Sequence, residues 1–443
     1  MRELAGVGAG PAERPVPARV VIDLRPLQEP ERAPITASYL GRLLAACAAD
    51  PLPGESFVPV LRALRPDPTR ALEEAGLPVA ARRRVLPTAR FLRSAGLTVD
   101  AFQLRGAELG TGGPSGPSAG TVYHTAGGAV PLGSRLPVVA TLLDLAPWEL
   151  PSIYAASPAA RFGHRLRARI LRDATRLIVC SEATSGAARR LLHVRPERIV
   201  VVRLAAEEAF SPAAAGPERV AELRSRLDLP PRYLAFAGRY DARKDLGTLF
   251  RALAALREEG RGATGPDVPW PPVIVLAGSE GADASDVAAL ARAAERHAVA
   301  DLVRLVPQLG SEDLATLDAG AEATVFPAIS EGTGLVVLQS LAVGTPAVVS
   351  RVGPLPELVG PAGIIVEPRD PARLAAALRA AWSGHIHDQL RRVARQRALE
   401  GRRTWTDVAR ETRMAYAAAL AARATGVRSA SRRGRPGRPA ASV

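Results

Sequence analysis

The fold class of this chain turns on the segment Tyr233-Leu234-Ala235-Phe236-Ala237-Gly238-Arg239-Tyr240-Asp241-Ala242-Arg243-Lys244-Asp245. Five apolar residues form a run of strand length. Gly238 then lets the backbone turn and allows a ligand close approach. A helix is expected after Asp245. Strand, glycine turn and helix make one unit of a parallel sheet covered on both faces. The same unit recurs on either side. Apolar, β-branched runs at 273–277, 303–306, 323–326, 347–350 and 363–366 predict five more strands, with helices in the gaps. Upstream, runs at 19–24, 57–61, 121–124, 137–143, 177–181 and 199–202 predict another set. Helical patterns lie between them at 35–49, 160–175 and 184–192.

The expected class is therefore α/β, with two doubly wound Rossmann-like domains facing a cleft. Residues 1–18 read as a disordered N-terminus and 19–212 as the first domain. The Pro/Ala/charged stretch 213–231 reads as the linker, and 232–385 as the second domain. Helices over 386–422 are expected to cross back onto the first domain, leaving 423–443 as a disordered basic tail. The Gly/Ser/Pro-rich stretch 106–120 reads as a mobile loop.

Composition narrows the function. The 443 residues are 47% hydrophobic, which excludes wholesale disorder. Two cysteines, Cys47 and Cys180, exclude a disulfide-knit scaffold and a multi-cysteine zinc site. No apolar run reaches the ~18 residues that a membrane-spanning helix needs. The first residues lack the apolar core of a signal peptide, so a cytoplasmic location is expected. The net charge of +14 is carried almost wholly by arginine, with one lysine and no asparagine. That bias suits a GC-rich coding sequence, so the charge alone argues no specific nucleic-acid partner. Arg165, Arg169, Arg172 and Arg176 share a face of the basic helix over 161–176. A solvated face is the ordinary reading of such a row. An anionic membrane surface is the functional one, placing the protein at the inner face of the plasma membrane.

The chemistry-bearing residues cluster in the second half. Arg239 and Lys244 place two cations after a strand, which suits a diphosphate. The single lysine of the chain falls there. In Ile329-Ser330-Glu331-Gly332-Thr333-Gly334-Leu335 the glycines open a helix, whose N–H groups make an anion site. Glu331 stands beside it, and sugar hydroxyls are natural donors to a carboxylate. Gln339 follows about two turns later on roughly the same face. His124 is expected at a strand end facing the cleft. His385 and His387 alone make a poor metal site.

With these residues in view, 233–380 resembles the C-terminal half of the family 4 glycosyltransferases, of glycosyltransferase group 1 type and GT-B fold. The resemblance rests on Gly238-Arg239…Lys244, Glu331-Gly332-Thr333-Gly334-Leu335 and Gly344-Thr345-Pro346. It continues through Leu355-Pro356-Glu357-Leu358-Val359-Gly360 and Ala362-Gly363-Ile364-Ile365-Val366. The first half matches more loosely, through Asp144-Leu145-Ala146-Pro147 and 196–202. The resemblance implies a retaining, metal-independent hexosyl-type transferase that uses a nucleotide-diphosphate sugar, with no cofactor. By it, Arg239, Lys244 and Glu331 are catalytic. Gly238, Gln308, Leu309, Gly332, Thr333, Gly334, Leu335 and Gln339 bind the donor, with Ser279 and Glu280 near the base. His124 and Asp144 lie on the acceptor side, and the acceptor is a glycan or lipid-linked sugar. Three departures stand out. The family's second glutamate is Gln339, its histidine before Asp144 is Leu143, and its N-terminal glycine loop is 32–38, with Pro34 and Ile35. They keep open a catalytically impaired scaffold partner as the alternative.

Overall fold

The computed structural model describes residues 18–86, 104, 120–126, 130–260, 268–278, 284–400 and 402–433. The expected disordered N-terminus (apart from residue 18), most of the 106–120 loop, Ser279, Glu280 and residues 434–443 lie outside the described residues.

The first sheet contains β1 (Arg19–Asp23), β2 (Ser56–Arg62), β3 (Arg83–Val85), β4 (Thr121–Ala126), β5 (Val138–Leu142), β6 (Arg176–Val179) and β7 (Ile199–Val201). Its order is β3-β2-β1-β4-β5-β6-β7, and its pairings are parallel. Around it run α1 (Pro34–Ala49), α2 (Arg70–Glu74), α3 (Ala146–Glu149), α4 (Pro151–Tyr154), α5 (Pro158–Asp173) and α6 (Glu182–Leu192). The strands are buried on both faces because helices cover both, so they read as continuous apolar runs. Val20, Ile22 and Val122 face one core, and Val21, Tyr123 and Ala140 the other.

The second sheet contains β8 (Leu234–Gly238), β9 (Ile274–Gly278), β10 (Val303–Val306), β11 (Thr324–Phe326), β12 (Ala347–Ser350) and β13 (Gly363–Val366). Its order is β10-β9-β8-β11-β12-β13, again parallel. Its helices are α7 (Pro217–Leu227), α8 (Leu246–Glu259), α9 (Ala284–Arg296), α10 (Ser311–Gly320), α11 (Leu335–Ala342), α12 (Leu355–Val359), α13 (Pro371–Trp382) and α14 (Gly384–Leu399). The last helix, α15 (Trp405–Arg433), returns to the first domain.

Two features differ from the sequence reading. The 213–231 stretch carries α7, whose Leu223 packs with Tyr233 and Leu317 in the second domain's core. The chain has already crossed between domains, near Leu204–Phe210. One buried leucine within α7, in a Pro/Ala/Arg/Glu stretch, gave too little apolar periodicity to show the helix. At the other end, helix continues through Arg433, well into the stretch expected to be disordered. Of the two C-terminal helices, α14 stays on the second domain and only α15 crosses back. Fully buried Arg413 anchors it, meeting Glu55 at 2.6 Å.

Candidate functional site

In each sheet the strand order reverses at one point, between β1 and β4 and between β8 and β11. Ligands of doubly wound sheets bind beyond the carboxyl ends of the strands at that point. Lys244 follows β8 and Glu331 follows β11, so these adjacent strands deliver the two side chains to one place. Lys244 Nζ lies 2.7 Å from Glu331 Oε2 and 4.3 Å from the centre of the Phe326 ring. Both side chains are buried. Glu331 Oε1 accepts from the backbone N–H of Thr333 at 3.2 Å and of Gly334 at 3.1 Å. Burial alone would raise the Glu331 pKa. Lys244 and the two N–H groups outweigh it and hold the carboxyl at about 2.

Glycines permit this packing. Gly334 sits at φ +63° as the residue before α11. Gly238 ends β8 at φ +135°, a backbone that other residues rarely adopt. A Cβ on Gly332 would stand 2.0 Å from the carbonyl oxygen of Leu143 in the other domain. The carboxyl ends of the two sheets therefore face each other and touch at this loop.

Four further contacts cross between the domains. Arg243 donates to Asp144 at 2.8 Å. Ser330 Oγ donates to Glu149 Oε2 at 2.5 Å, and burial raises the Glu149 pKa. Glu357 accepts from the N–H groups that open α6, at Glu182 (3.2 Å) and Ala183 (2.5 Å). Gln339 Nε2 donates to Glu207 Oε1 at 2.9 Å, and Glu207 also pairs with Arg42 and accepts from Ser311 at 2.6 Å.

The structure thus brings Lys244, Glu331, Gly332, Thr333, Gly334 and Asp144 together, with Leu335 and Gln339 on the helix they open. Arg239 is near them in sequence but exposed, with no side-chain partner among the described residues. Gln308 is exposed and Leu309 half-buried, after the edge strand β10. Of the Gly334 and Leu335 N–H groups expected to meet phosphate, that of Gly334 is occupied by Glu331. His124 does not face the cleft. It is fully buried within β4, where Nε2 meets Thr141 Oγ1 at 2.9 Å and Nδ1 meets the Tyr416 hydroxyl at 2.7 Å. Burial lowers its pKa to about 3, so the ring is neutral. Helix α15 lays Tyr416 over it, a contact that no local pattern announces. Leu143 is likewise a buried core residue, and Pro34–Ser38 is the first turn of α1.

Sequence reasoning missed Arg243, Glu149, Glu207 and Glu357 as cross-domain partners. Arg243 and Glu357 stood inside quoted motifs, but nothing local separates Arg243 from Arg239.

Two doubly wound domains meeting at their strand ends, with a cation and a carboxylate at the switch point, define a GT-B architecture. Residues 231–383 match the family Glycosyl transferases group 1. A D-inositol 3-phosphate glycosyltransferase of Streptomyces scabiei is 34% identical over 216 residues, 47% of this chain and 46% of that protein. The match spans about half the length of such curated relatives. Two solved structures share the fold. Sucrose-phosphate synthase from Thermosynechococcus elongatus superposes with a TM-score of 0.63 at 20% identity, covering 91% of this chain and 100% of that one. Anabaena Alr3699/HepE, solved in complex with UDP-glucose, gives 0.55 at 15%, covering 94% and 99%. No helix among the described residues is long and apolar enough to cross a membrane.

Proposed function

We propose that the chain is a retaining glycosyltransferase that moves a hexosyl group from a nucleotide-diphosphate sugar to a glycan or lipid-linked acceptor, without a metal ion or other cofactor. The observation that carries this reading is the Lys244–Glu331 pair at the β8/β11 switch point. The group departing from the sugar gains negative charge on its diphosphate. Lys244, with Arg239 swinging in from solvent, supplies the cations that stabilise it. Glu331, kept ionised, takes hydroxyls of the donor sugar. Gly238, Gly332, Thr333, Gly334 and Leu335 line its path, Gln308 and Leu309 lie towards the base, and Gln339 towards the ribose. Asp144 stands opposite, on the acceptor side. A nucleotide sugar as donor agrees with the UDP-glucose held by the Anabaena neighbour.

For a lipid-linked acceptor the protein would work in the cytoplasm at the inner face of the membrane. Arg161, Arg165, Arg169 and Arg172 are exposed along α5, which ends at Asp173, so Arg176 of the expected row lies in β6 instead; Phe162 beside them is 59% exposed. Guanidiniums around an exposed aromatic ring fit an anionic lipid surface.

The test is thermal unfolding of the full chain with UDP, GDP, ADP and dTDP and their common sugars. A ligand bound to the native state raises its stability. A rise with one base, absent in Lys244→Ala, supports the reading. No rise with any nucleotide favours the non-catalytic partner, in which Gln339 serves to bind Glu207 and no donor enters.

A further inference from the structure

A cavity of about 550 Å³ lies in the second domain, at the amino ends of β11 and β12. The Lys244–Glu331 pair stands beyond the carboxyl ends of the same sheet, so the two places are separate. The walls are α7, α14, the ends of α10 and α11, and the turn Pro212–Ala215. Pro212, Ala215, Val220 and Val343 make much of the lining apolar. Leu399 also lines it, with 77% of its surface exposed.

Its charge has one sign. Arg224, Arg391 and Arg395 line it, and no described lining residue is acidic. The carboxylates of the surrounding elements are engaged elsewhere. Glu322 is shared by Arg232 at 3.1 Å, His387 at 2.7 Å and Arg391 at 3.8 Å. On α10, Glu312 pairs with Arg219 and Asp313 with Arg226, while buried Asp318 keeps its proton up to about pH 8. On α14, Asp388 meets His387. On α7, Glu222 acts on Arg226, and exposed Glu218 lies round the helix from the row Val220, Ala221 and Arg224. Neither Arg224 nor Arg395 forms an ion pair among the described residues. The Arg224 Nε is buried with no hydrogen-bond partner among them, an arrangement that folded proteins seldom leave unanswered. Helix ends do not take up these cations. The last carbonyls of α10 and α11 already accept from Tyr233, Thr345 and the chain's own N–H groups. Burial lowers the Arg391 pKa, and Arg395 and Arg232 lower it further against the pull of Glu322.

We propose that this cavity binds a small organic dianion with a compact apolar body. Glu322 serves Arg391, which leaves Arg224 and Arg395 uncovered, so two negative charges match them. Guanidinium forks suit a phosphate and a pair of carboxylates alike, and either gives the Arg224 Nε an acceptor. The proline, alanine and valine walls take the body of the ligand, which also covers Leu399. The volume falls inside the roughly 300–1,000 Å³ of small-molecule sites. The site stands independently of any donor at the switch point, because the two lie at opposite ends of the sheet.

Thermal unfolding of the full chain with phenyl phosphate and with phthalate tests this, at pH 7 and fixed ionic strength. Benzoate keeps the ring with one charge, and inorganic phosphate keeps the charge without the ring. The expected result is a saturable rise of about 2 °C or more with at least one dianion at roughly a hundredfold excess over its dissociation constant. Both controls should give a clearly smaller rise at the same concentration. The dianion with the larger rise names the acid group. The rise should be lost in Arg395→Glu, whose exposed side chain has no hydrogen bond among the described residues to lose. No rise with either dianion, an equal rise with benzoate or inorganic phosphate, or a rise that survives Arg395→Glu overturns the proposal. Nucleotide binding by Arg395→Glu is measured in parallel. It reports on the switch-point site alone, so failure at one site is not mistaken for failure at the other.

Discussion

Lys244 Nζ and Glu331 Oε2 stand 2.7 Å apart with both side chains buried, joined across neighbouring strands β8 and β11. Removing one partner strands the other's charge in a medium that solvates it poorly, at a cost of about 3–5 kcal/mol. Lys244→Met should therefore lower the unfolding temperature sharply. Lys244→Met with Glu331→Gln should recover much of the loss, because no charge is left unpaired. A double variant no more stable than Lys244→Met would show that the pair is not coupled. The pair also predicts an acid limb. The folded pKa of Glu331 lies at about 2, below its ordinary value of 4.5. Its stabilisation is complete above pH ~4.5 and disappears as pH falls from there towards ~2. Unfolding temperatures from pH 6 to pH 2.5 should show this slope in the wild type, and a shallower one in Glu331→Gln.

Asp318 predicts the opposite slope. Its carboxyl is fully buried on α10, and neither oxygen has a hydrogen-bond partner among the described residues. Burial raises its pKa from 3.8 to about 8. The folded state thus holds a proton that the unfolded chain releases near pH 4. The stabilisation is complete below pH ~4 and is lost as pH rises through ~8. Asp318→Asn should flatten the fall in unfolding temperature between pH 6 and pH 9. An unchanged fall in the variant would place its cause at another group.

The switch-point site was legible in the sequence because each part of it is local. Gly238 and Gly334 adopt positive φ where strand becomes helix, and Lys244 and Glu331 sit at fixed offsets from them. The alternation of apolar runs likewise gave all six strands of the second sheet. What stayed hidden depends on distant chain. Arg243 meets Asp144 across 99 residues, Gln339 meets Glu207 across 132, and His124 meets Tyr416 across 292. Domain closure and the return of α15 set these contacts, and no short window of sequence contains them. The Gln339 amide also acquires a reason. It donates to Glu207, where a second carboxylate would be repelled.

His124 tests the distinction between core and cleft. Its ring joins Thr141 to Tyr416, both buried. His124→Phe leaves the Tyr416 hydroxyl without a partner among the described residues, while Thr141 keeps Tyr39 at 3.2 Å, and the loss costs about 1–3 kcal/mol. Its folded pKa of about 3 lies below 6.5, so its contribution is complete above pH ~6.5 and fades as pH falls towards 3. Nucleotide affinity, measured by titration at pH 8, should stay within twofold of the wild type. A tenfold loss of affinity in a folded His124→Phe would return this residue to the cleft.

Gly332 separates closure from binding chemistry. A methyl group there would lie 2.0 Å from the Leu143 carbonyl oxygen and 2.9 Å from Asp144 Cα, both backbone atoms that cannot rotate away. Gly332→Ala should hold the domains apart without touching Lys244 or Glu331. The cross-domain bonds of Arg243 to Asp144 and of Ser330 to Glu149 would then break together, since all four residues lie around this contact. Small-angle scattering should show a larger radius of gyration for the variant. Arg243→Ala should give a smaller increase, because it removes one bond and adds no clash. Nucleotide diphosphate should still bind Gly332→Ala, since its cations belong to one domain, while any transfer activity falls at least tenfold. If Gly332→Ala scatters like the wild type, the domains meet some other way in solution, and the cross-domain pairs cannot be what holds the cleft closed.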